Sequence, residues 1–443
     1  MFSIFNTLTT KKAEFIPIDK EDVRIYFCGP TVYNELHIGN YRAALVADLL
    51  SKTLKGIYPK VTFVSNITDI DDKIIKEASK QSCSINELTQ KYYKKFMNDA
   101  DILGISKPDL QPFATDYVDE MIDYIQTLLK NKSAYEINGN VLFEVNKFTN
   151  YGCLSGRCIE EQDSGARVKI EDYKKNPNDF TLWKPSLANE PGWESPWGYG
   201  RPGWHLECSV MSESVLGVPF DIHGGGNDLK FPHHDNEIAQ TCGFHNSSDP
   251  TCFAKYWVHN GFLNLANEKM SKSLGNVVYI DDLLKEFKGN EIRLALLSTH
   301  YRQPIPWSLN LLKQAASVAR KISRFTSSHT TKSKFFPGSN IGKAILDDLN
   351  TPKALAIMQS LITNPKKFDI NQEISTFRYI FEGSKQDLSL SKEDQDKINQ
   401  LIKLRLKARE NGDYQTADKI RDELNKMNVS IKDKNGKTEW EIL

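Results

Sequence analysis

Two stretches of the chain combine residue types and spacings that suit phosphate. The first is Pro30-Thr31-Val32-Tyr33-Asn34-Glu35-Leu36-His37-Ile38-Gly39-Asn40, which leads into a run of apolar residues at helical spacing. A helix N-terminus presents unbonded N–H groups and partial positive charge, the complement of a phosphate. His37 and Asn40 can donate hydrogen bonds to phosphate oxygens, and Gly39 allows a flat base close to the backbone. Taken alone, the stretch reads more readily as a turn with a satisfied histidine. The second is Lys269-Met270-Ser271-Lys272-Ser273, followed by Leu274-Gly275-Asn276. Two lysines three apart on a loop ending in glycine can neutralise a triphosphate as mobile point charges. Alone this is a weak signal, because lysine is abundant; Lys94-Lys95, Lys174-Lys175 and Lys366-Lys367 read as solvated surface.

Metal chemistry is less legible. The cysteines are Cys28, Cys83, Cys153, Cys158, Cys208, Cys242 and Cys252. Their odd number, wide scatter and lack of CxxC pairs argue for reduced thiols and against a disulfide framework. Only His233 and Glu237 have a local logic. Pro232 suits a first helical position and Gly243 a stop, so the two would share one face at i and i+4. His234 would then point about 100° away, to meet a ligand or to pack.

The elements that must position these residues begin with a strand over Asp22 to Gly29, a helix over Tyr41 to Leu54, a strand over Val61 to Ile67 and a helix near Ile85 to Leu103. That alternation predicts a parallel sheet with crossover helices, whose ligands sit at the carboxyl ends of strands, where Cys28 and Thr68 fall. Pro185 to Trp204 carries Trp193, Trp197 and Trp204 among glycines and prolines, a shaped loop region beside a cleft. Thr326 to Ser339 reads as a boundary, the pattern from Ile341 to about Leu424 is helical, and Asn435-Gly436 signals a hairpin. The chain has 443 residues with 57 basic and 57 acidic side chains, which excludes a histone-like polycation but not a local nucleic-acid-binding stripe. Residues 1–20 lack the apolar core of a secretory signal, and no apolar run reaches the ~18 residues of a membrane span. The expectation is a cytoplasmic chain with no membrane partner.

Considered together, the two phosphate-suited motifs resemble the paired signature of class I aminoacyl-tRNA synthetases. FCGPTVYNELHIGNYR, NITDIDDKI (66–74), GRPGWHLECS (200–209), DIHGGGNDLKFPHHDNEIAQ (221–240), KMSKSLGN (269–276) and ARENGDYQTADKIRDEL (408–424), with Gly436, Thr438 and Trp440, resemble the cysteinyl-tRNA synthetase family over nearly the whole chain. Asn40 departs from the second histidine of many relatives; asparagine still donates to phosphate, so altered detail is expected rather than lost activity.

The resemblance implies an α/β fold. A Rossmann-like parallel-sheet catalytic domain at 1–310 would carry an insertion at roughly 110–200 and the KMSKS-bearing region at roughly 244–310. A helical bundle would follow at 311–390, then a small anticodon-binding domain at 391–443. It implies activation of L-cysteine with ATP to cysteinyl-adenylate and transfer to the 2′-OH at the 3′ end of tRNA(Cys), by a monomer. His37, Asn40, Lys269 and Lys272 would be catalytic. Pro30, His37, Gly39, Asn40, Gly226, Asp228 and Lys272 would meet ATP with its Mg²⁺, and Gly29, Thr31, Thr68, Trp204 and His234 would meet cysteine. Cys28, Cys208, His233 and Glu237 would hold one Zn²⁺ that binds the substrate thiolate directly, separating cysteine from serine and alanine without an editing domain. Trp204 could instead be a packed loop aromatic. In the tail, Lys397, Lys403, Arg405, Lys407 and Arg409 form a basic run that meets phosphate or is simply solvated, and Trp440 either stacks on a base or anchors a small core. The alternatives are a ligase joining cysteine to an amino-sugar, against which the region after 341 argues, and a non-catalytic paralogue, which intact His37 and Lys272 oppose.

Overall fold

The computed structural model describes residues 1–157, 173–187, 190–265, 268–269, 277–382, 392–426, 429–434 and 437–442. Two compact units divide the chain, Met1–Gly383 and Ser384–Leu443.

In the first unit, β1 (Ser3–Asn6) and β2 (Lys11–Glu14) form an antiparallel hairpin. β3 (Val23–Phe27) is buried at all positions but Arg24, as befits a strand covered on both faces of a parallel sheet. α1 (Ile38–Lys55) crosses to β4 (Val61–Ser65), which pairs parallel with β3. α2 (Asp72–Gln81), α3 (Ile85–Ile102) and α4 (Val118–Lys130) follow. A separate antiparallel sheet, ordered β5 (Ala134–Ile137), β6 (Asn140–Phe143), β7 (Phe180–Pro185) and β8 (Gly200–Pro202), lies in sequence between the halves of the parallel sheet. After α5 (Trp204–Leu216), β9 (Phe220–Gly226), α6 (Asp235–Phe244) and β10 (Ala254–Asn260) complete the central sheet in the order β10-β9-β3-β4, every pair parallel.

β11 (Leu263–Leu265) pairs with β12 (Glu268–Lys269) and β13 (Ile305–Trp307), with α7 (Ile280–Leu284) and α8 (Gly289–Leu297) between them in sequence. α9 (Leu309–Thr326), α10 (Asn340–Leu346), α11 (Thr351–Thr363) and α12 (Ile370–Phe381) close the unit. In the second unit α13 (Lys392–Glu410) and α14 (Tyr414–Lys426) precede an antiparallel hairpin, β14 (Val429–Lys434) and β15 (Lys437–Ile442), around Ile398, Leu424 and Val429.

Gly224 to Gly226 end β9; a Cβ on Gly224 would lie 2.1 Å from the Phe27 ring, so the missing side chain lets β3 and β9 pack. Two local expectations change. The helix read from Pro232 starts later, at Asp235, and runs past Gly243 to Phe244; Lys230–His234 form a single π turn in which Phe231 is extended (φ −139°, ψ 135°). Thr326–Ser339, read as a boundary, is pinned inside the first unit: Lys334 N donates to Ser375 Oγ at 2.9 Å, and Phe335 is buried against Gly56. The free thiols of Cys242 and Cys252 touch each other.

Candidate active site

Cys28 directly follows β3, Cys208 lies one turn into α5, His233 is in the π turn and Glu237 in the first turn of α6. Their ligand atoms all fall within 4.8 Å of one another. Cys28 Sγ is 3.5 Å from Cys208 Sγ and 3.6 Å from Glu237 Oε1, and His233 Nε2 is 2.9 Å from that oxygen. A tetrahedral zinc, with Zn–S about 2.3 Å and Zn–N or Zn–O about 2.0–2.1 Å, spreads its donors about 3.3–3.8 Å apart. Two thiolates, an imidazole and a carboxylate at these separations fit such an ion with small side-chain adjustments.

A second set, Cys28, His223, His234 and Glu237, meets the same distance limit. Each of its histidines gives a ring nitrogen to a neighbouring side chain. His223 Nε2 lies 2.7 Å from Glu237 Oε2, the carboxylate oxygen not shared with Cys28 and His233, so His223 orients the carboxylate. His234 Nδ1 is 2.8 Å from His259 Nε2, and His259 Nδ1 is 2.9 Å from Thr7 Oγ1. His234 therefore does not diverge from the cluster as helical spacing predicts. Both histidines precede the α-helix, and His234 Nε2 lies 3.4 Å from Cys28 Sγ.

The charge on the cluster is uneven. Burial pushes the Cys28 thiol well up, while its hydrogen bond to Cys208 draws Cys208 down to about 6, so the first negative charge settles on Cys208. Burial opposes charge on His233, yet Glu237 and Cys208 raise it to about 10. The centre of the cluster thus favours positive charge, the condition a divalent cation meets. Burial holds His234 and His259 neutral.

Beside the cluster a cavity of about 410 Å³ is lined by Cys28, Gly29, Pro30, Thr31, His37, Gly39, Asn40, Trp204, Gly226 and Asp228. The expected ATP and cysteine residues in this set come from four separate segments. Gly29 is dictated by packing: its amide donates to Asn66 Oδ1 at 2.9 Å, and a Cβ there would sit 1.6 Å from the Asn66 carbonyl oxygen. His37 caps α1, its Nδ1 accepting from Gly39 N at 3.1 Å, while Asn40 Oδ1 accepts from His37 N at 3.1 Å. That reciprocal cap gives asparagine at position 40 a structural role, with its Nδ2 hydrogens as the donors it offers a phosphate. Trp204 stacks on His233, centroids 4.3 Å apart, and remains 38% exposed, so one face supports the His233 imidazole and the rest borders the cavity.

Thr68 and His234 are buried and do not line the cavity. Thr68 pairs with Thr31 in an isolated parallel bridge and donates its hydroxyl to Glu207 Oε2 at 2.8 Å. For the second signature, only the backbone of Lys269, in β12, falls within the described residues; Lys272 lies outside them. The described chain resumes beside the first signature, where Ile38 N donates to Val278 O at 2.9 Å and His37 bridges to Tyr279.

Asn66, His205 (its Nδ1 3.0 Å from His233 Nδ1), Glu207, His223 and His259 join the site without having been singled out from the sequence. The first four stand inside the quoted motif segments, and asking which polar residue there orients each ligand would have exposed His223 and Glu207. Arg405, counted in the basic run of the tail, is buried and leaves the exposed set Lys397, Lys403, Lys407 and Arg409.

Comparison with known proteins matches this geometry. The profile described as "tRNA synthetases class I (C) catalytic domain" covers residues 14–317, and that described as "Cysteinyl-tRNA ligase anticodon binding domain" covers 394–440. A cysteine–tRNA ligase of Wolbachia pipientis subsp. Culex pipiens (strain wPip) is 45% identical, spanning 99% of this chain and 98% of that protein. The cysteine–tRNA ligase of Pelagibacter ubique (strain HTCC1062) is 44% identical over 99% and 98%. Among solved structures, Mycobacterium tuberculosis methionyl-tRNA synthetase in complex with methionyl-adenylate superposes with TM-score 0.57 at 12% identity, over 81% of this chain and 89% of that one, which shows a shared fold. None of these matches supports an amino-sugar acceptor. A parallel sheet whose strand ends gather the first signature, a profile over residues 14–317 and full-length relatives at 45% identity lead to one conclusion: the chain belongs to the class I cysteinyl-tRNA ligase family.

Proposed function

We propose that this chain activates L-cysteine with ATP and esterifies it to the 3′ end of tRNA(Cys), reading the substrate through its sulfur. The observation that carries the reading is the convergence of Cys28, Cys208, His233 and Glu237 within 4.8 Å beside a cavity that His37 and Asn40 also line. These four side chains would hold one Zn²⁺, which supplies a Lewis-acid seat for the substrate thiolate that a serine hydroxyl, staying protonated, does not occupy. Size alone separates substrates differing by one small group by only about 1–3 kcal/mol, too little for faithful coding.

The remaining work is positioning. His37 and Asn40 hold phosphate oxygens at the N-terminus of α1, where the helix dipole and free N–H groups already favour negative charge. Gly226 and Asp228 are the residues offered to the nucleoside, with Pro30 and Gly39 forming the close walls. Lys269 and Lys272 neutralise the departing pyrophosphate with Mg²⁺, the dominant requirement when phosphoryl chemistry needs little covalent help. Gly29, Thr31 and Trp204 border the amino acid; Thr68 and His234 act from behind it, Thr68 held by Glu207 and His234 by His259. Catalytic, bundle and anticodon regions at 1–310, 311–390 and 391–443 form part of the reading, supported by profile limits of 14–317 and 394–440 and by the compact break after residue 383. Among the described residues no helix is long and apolar enough to cross a membrane; a cytoplasmic monomer completes the proposal.

The test is Cys208→Ser, assayed by metal content and by ATP–pyrophosphate exchange with cysteine, serine and alanine. Loss of about one zinc per chain, a KM for cysteine raised at least tenfold and a nearly unchanged KM for ATP are expected. Cysteine affinity equal to the parent's in a zinc-free variant refutes thiolate readout.

A further inference from the structure

Outside the active site a second pair of thiols is in contact. Cys242 Sγ and Cys252 Sγ are 3.3 Å apart on residues ten positions apart in sequence. Cys242 lies near the C-terminus of α6 and is fully buried, whereas Cys252, in the short turn Pro250–Cys252 that leads into β10, is partly exposed. The intervening turn is fixed by its own hydrogen bonds: Ser247 N donates to Cys242 O at 2.9 Å and Cys252 N to Asp249 O at 3.1 Å. The sulfurs are therefore held within about 1.3 Å of the ~2.05 Å bonding distance, a gap that side-chain rotation can close.

We propose that Cys242 and Cys252 form a reversible dithiol–disulfide pair that exchanges with low-molecular-weight disulfides of the glutathione type. Accessibility assigns the roles. Cys252 meets the oxidant: its thiolate attacks one sulfur of the small disulfide, a Cys252–sulfur bond forms, and the other half leaves as a thiolate. Cys242, in contact behind it, then gives its proton to the released thiolate and attacks the Cys252 sulfur. The Cys242–Cys252 bond forms and the second small thiolate departs, to be protonated by solvent. Two protein thiols lose two electrons and two protons, and one small disulfide becomes two thiols. The local charge supports the order. A hydrogen bond from Cys242 lowers the Cys252 thiol, while its contact with Cys252, together with burial, raises Cys242. The bond would tie the end of the helix that carries Glu237 to the start of the strand that carries His259. The inference uses no part of the tRNA-ligase reading.

The experiment exposes the full-length, zinc-loaded chain to a glutathione/glutathione-disulfide series, quenches by alkylation and maps each cysteine by mass spectrometry. The expected result is joint loss of alkylation at 242 and 252, a linked peptide pair, and recovery with dithiothreitol. Cys242→Ser should trap glutathione on residue 252, and Cys252→Ser should leave residue 242 unmodified at the same potential. Full alkylation of both residues across the series overturns the proposal. So does glutathione trapped on residue 242 in Cys252→Ser, or a link from either residue to Cys153. The mapping of the parent chain decides the matter even if a variant folds poorly.

Discussion

Arg42 stands on α1 just after the first signature and is 1% exposed. Its Nη1 donates to the carbonyls of Gly261 and Phe262, both at 2.7 Å, and its Nη2 to that of Gln303 at 2.6 Å, with weaker 3.3 Å contacts to His300 and Tyr301. One guanidinium thus ties α1 to the segments that precede β11 and β13, and Gly261 and Phe262 line the same cavity as His37. Arg42→Met keeps most of the stem and removes every donor. An orphaned buried carbonyl costs about 1–3 kcal/mol. Three short bonds therefore give roughly 3–9 kcal/mol, trimmed because burial already disfavours the charge and lowers Arg42 to about 10. A net loss of about 3–4 kcal/mol is expected. At about 2.1 cal/mol/K per residue, the unit spanning Met1–Gly383 has an unfolding entropy near 0.8 kcal/mol/K, so its transition should fall by about 4–5 °C. Calorimetry of the full chain measures this. Arg42→Lys, whose three hydrogens reach at most three carbonyls, should lose less, and the KM for ATP should rise in the order parent, Lys, Met. A Met variant melting within about 1 °C of the parent, with an unchanged KM for ATP, refutes the idea that this guanidinium sets the spacing of the two segments.

Gly29→Ala places a methyl 1.6 Å from a backbone oxygen, so cysteine-dependent exchange should drop more than tenfold; retention of parental activity would mean the β3 and β4 ends yield readily. Burial raises the carboxyl pKa of Asp69, which accepts from Thr115 N and Oγ1. Its stabilising contribution is therefore full below the ordinary value near 4 and is lost as pH rises through the raised value. Asp69→Asn, exempt from that loss, should gain in melting temperature relative to the parent as pH rises above about 4, and a flat or falling difference contradicts the assignment. Lys403 and Lys407 are exposed one turn apart on α13. Reversing both to Glu should raise the KM for tRNA and flatten its salt dependence while sparing ATP–pyrophosphate exchange; equal loss of both activities would make the helix structural.

β3, α1 and β4 were legible because a buried parallel strand and an amphipathic crossover helix leave distinct periods of apolar residues. β9 was not, since three glycines mimic a loop until the Phe27 ring explains why side chains are missing there. The direction of His234 was misread because the α-helical period was applied across a π turn. α2 went unnoticed: only Ile74 and Ala78 of its ten residues are buried, too few for an apolar stripe. Of the candidate metal ligands only His233 and Glu237 carried a spacing signal. Cys28 and Cys208 are 180 positions apart and meet only through the fold, so family resemblance rather than pattern pointed to them. The tie between Arg42 and five carbonyls has no sequence signature, because the backbone atoms it serves are common to every residue.

The 209 positions between Cys28 and Glu237 also have a meaning in time. At about 5–20 residues per second, a ribosome takes roughly 10–40 s to travel from one to the other. Through that interval Cys28 has emerged while the carboxylate it will face does not yet exist, and before Cys208 only Cys83, Cys153 and Cys158 emerge to keep it company. The proposed metal, captured that early, would be held by the wrong partners and later given up. Its native uptake would then be a milestone of biosynthesis, registering that the chain has been completed through α6 and that its first cysteine has waited in reduced form for the rest.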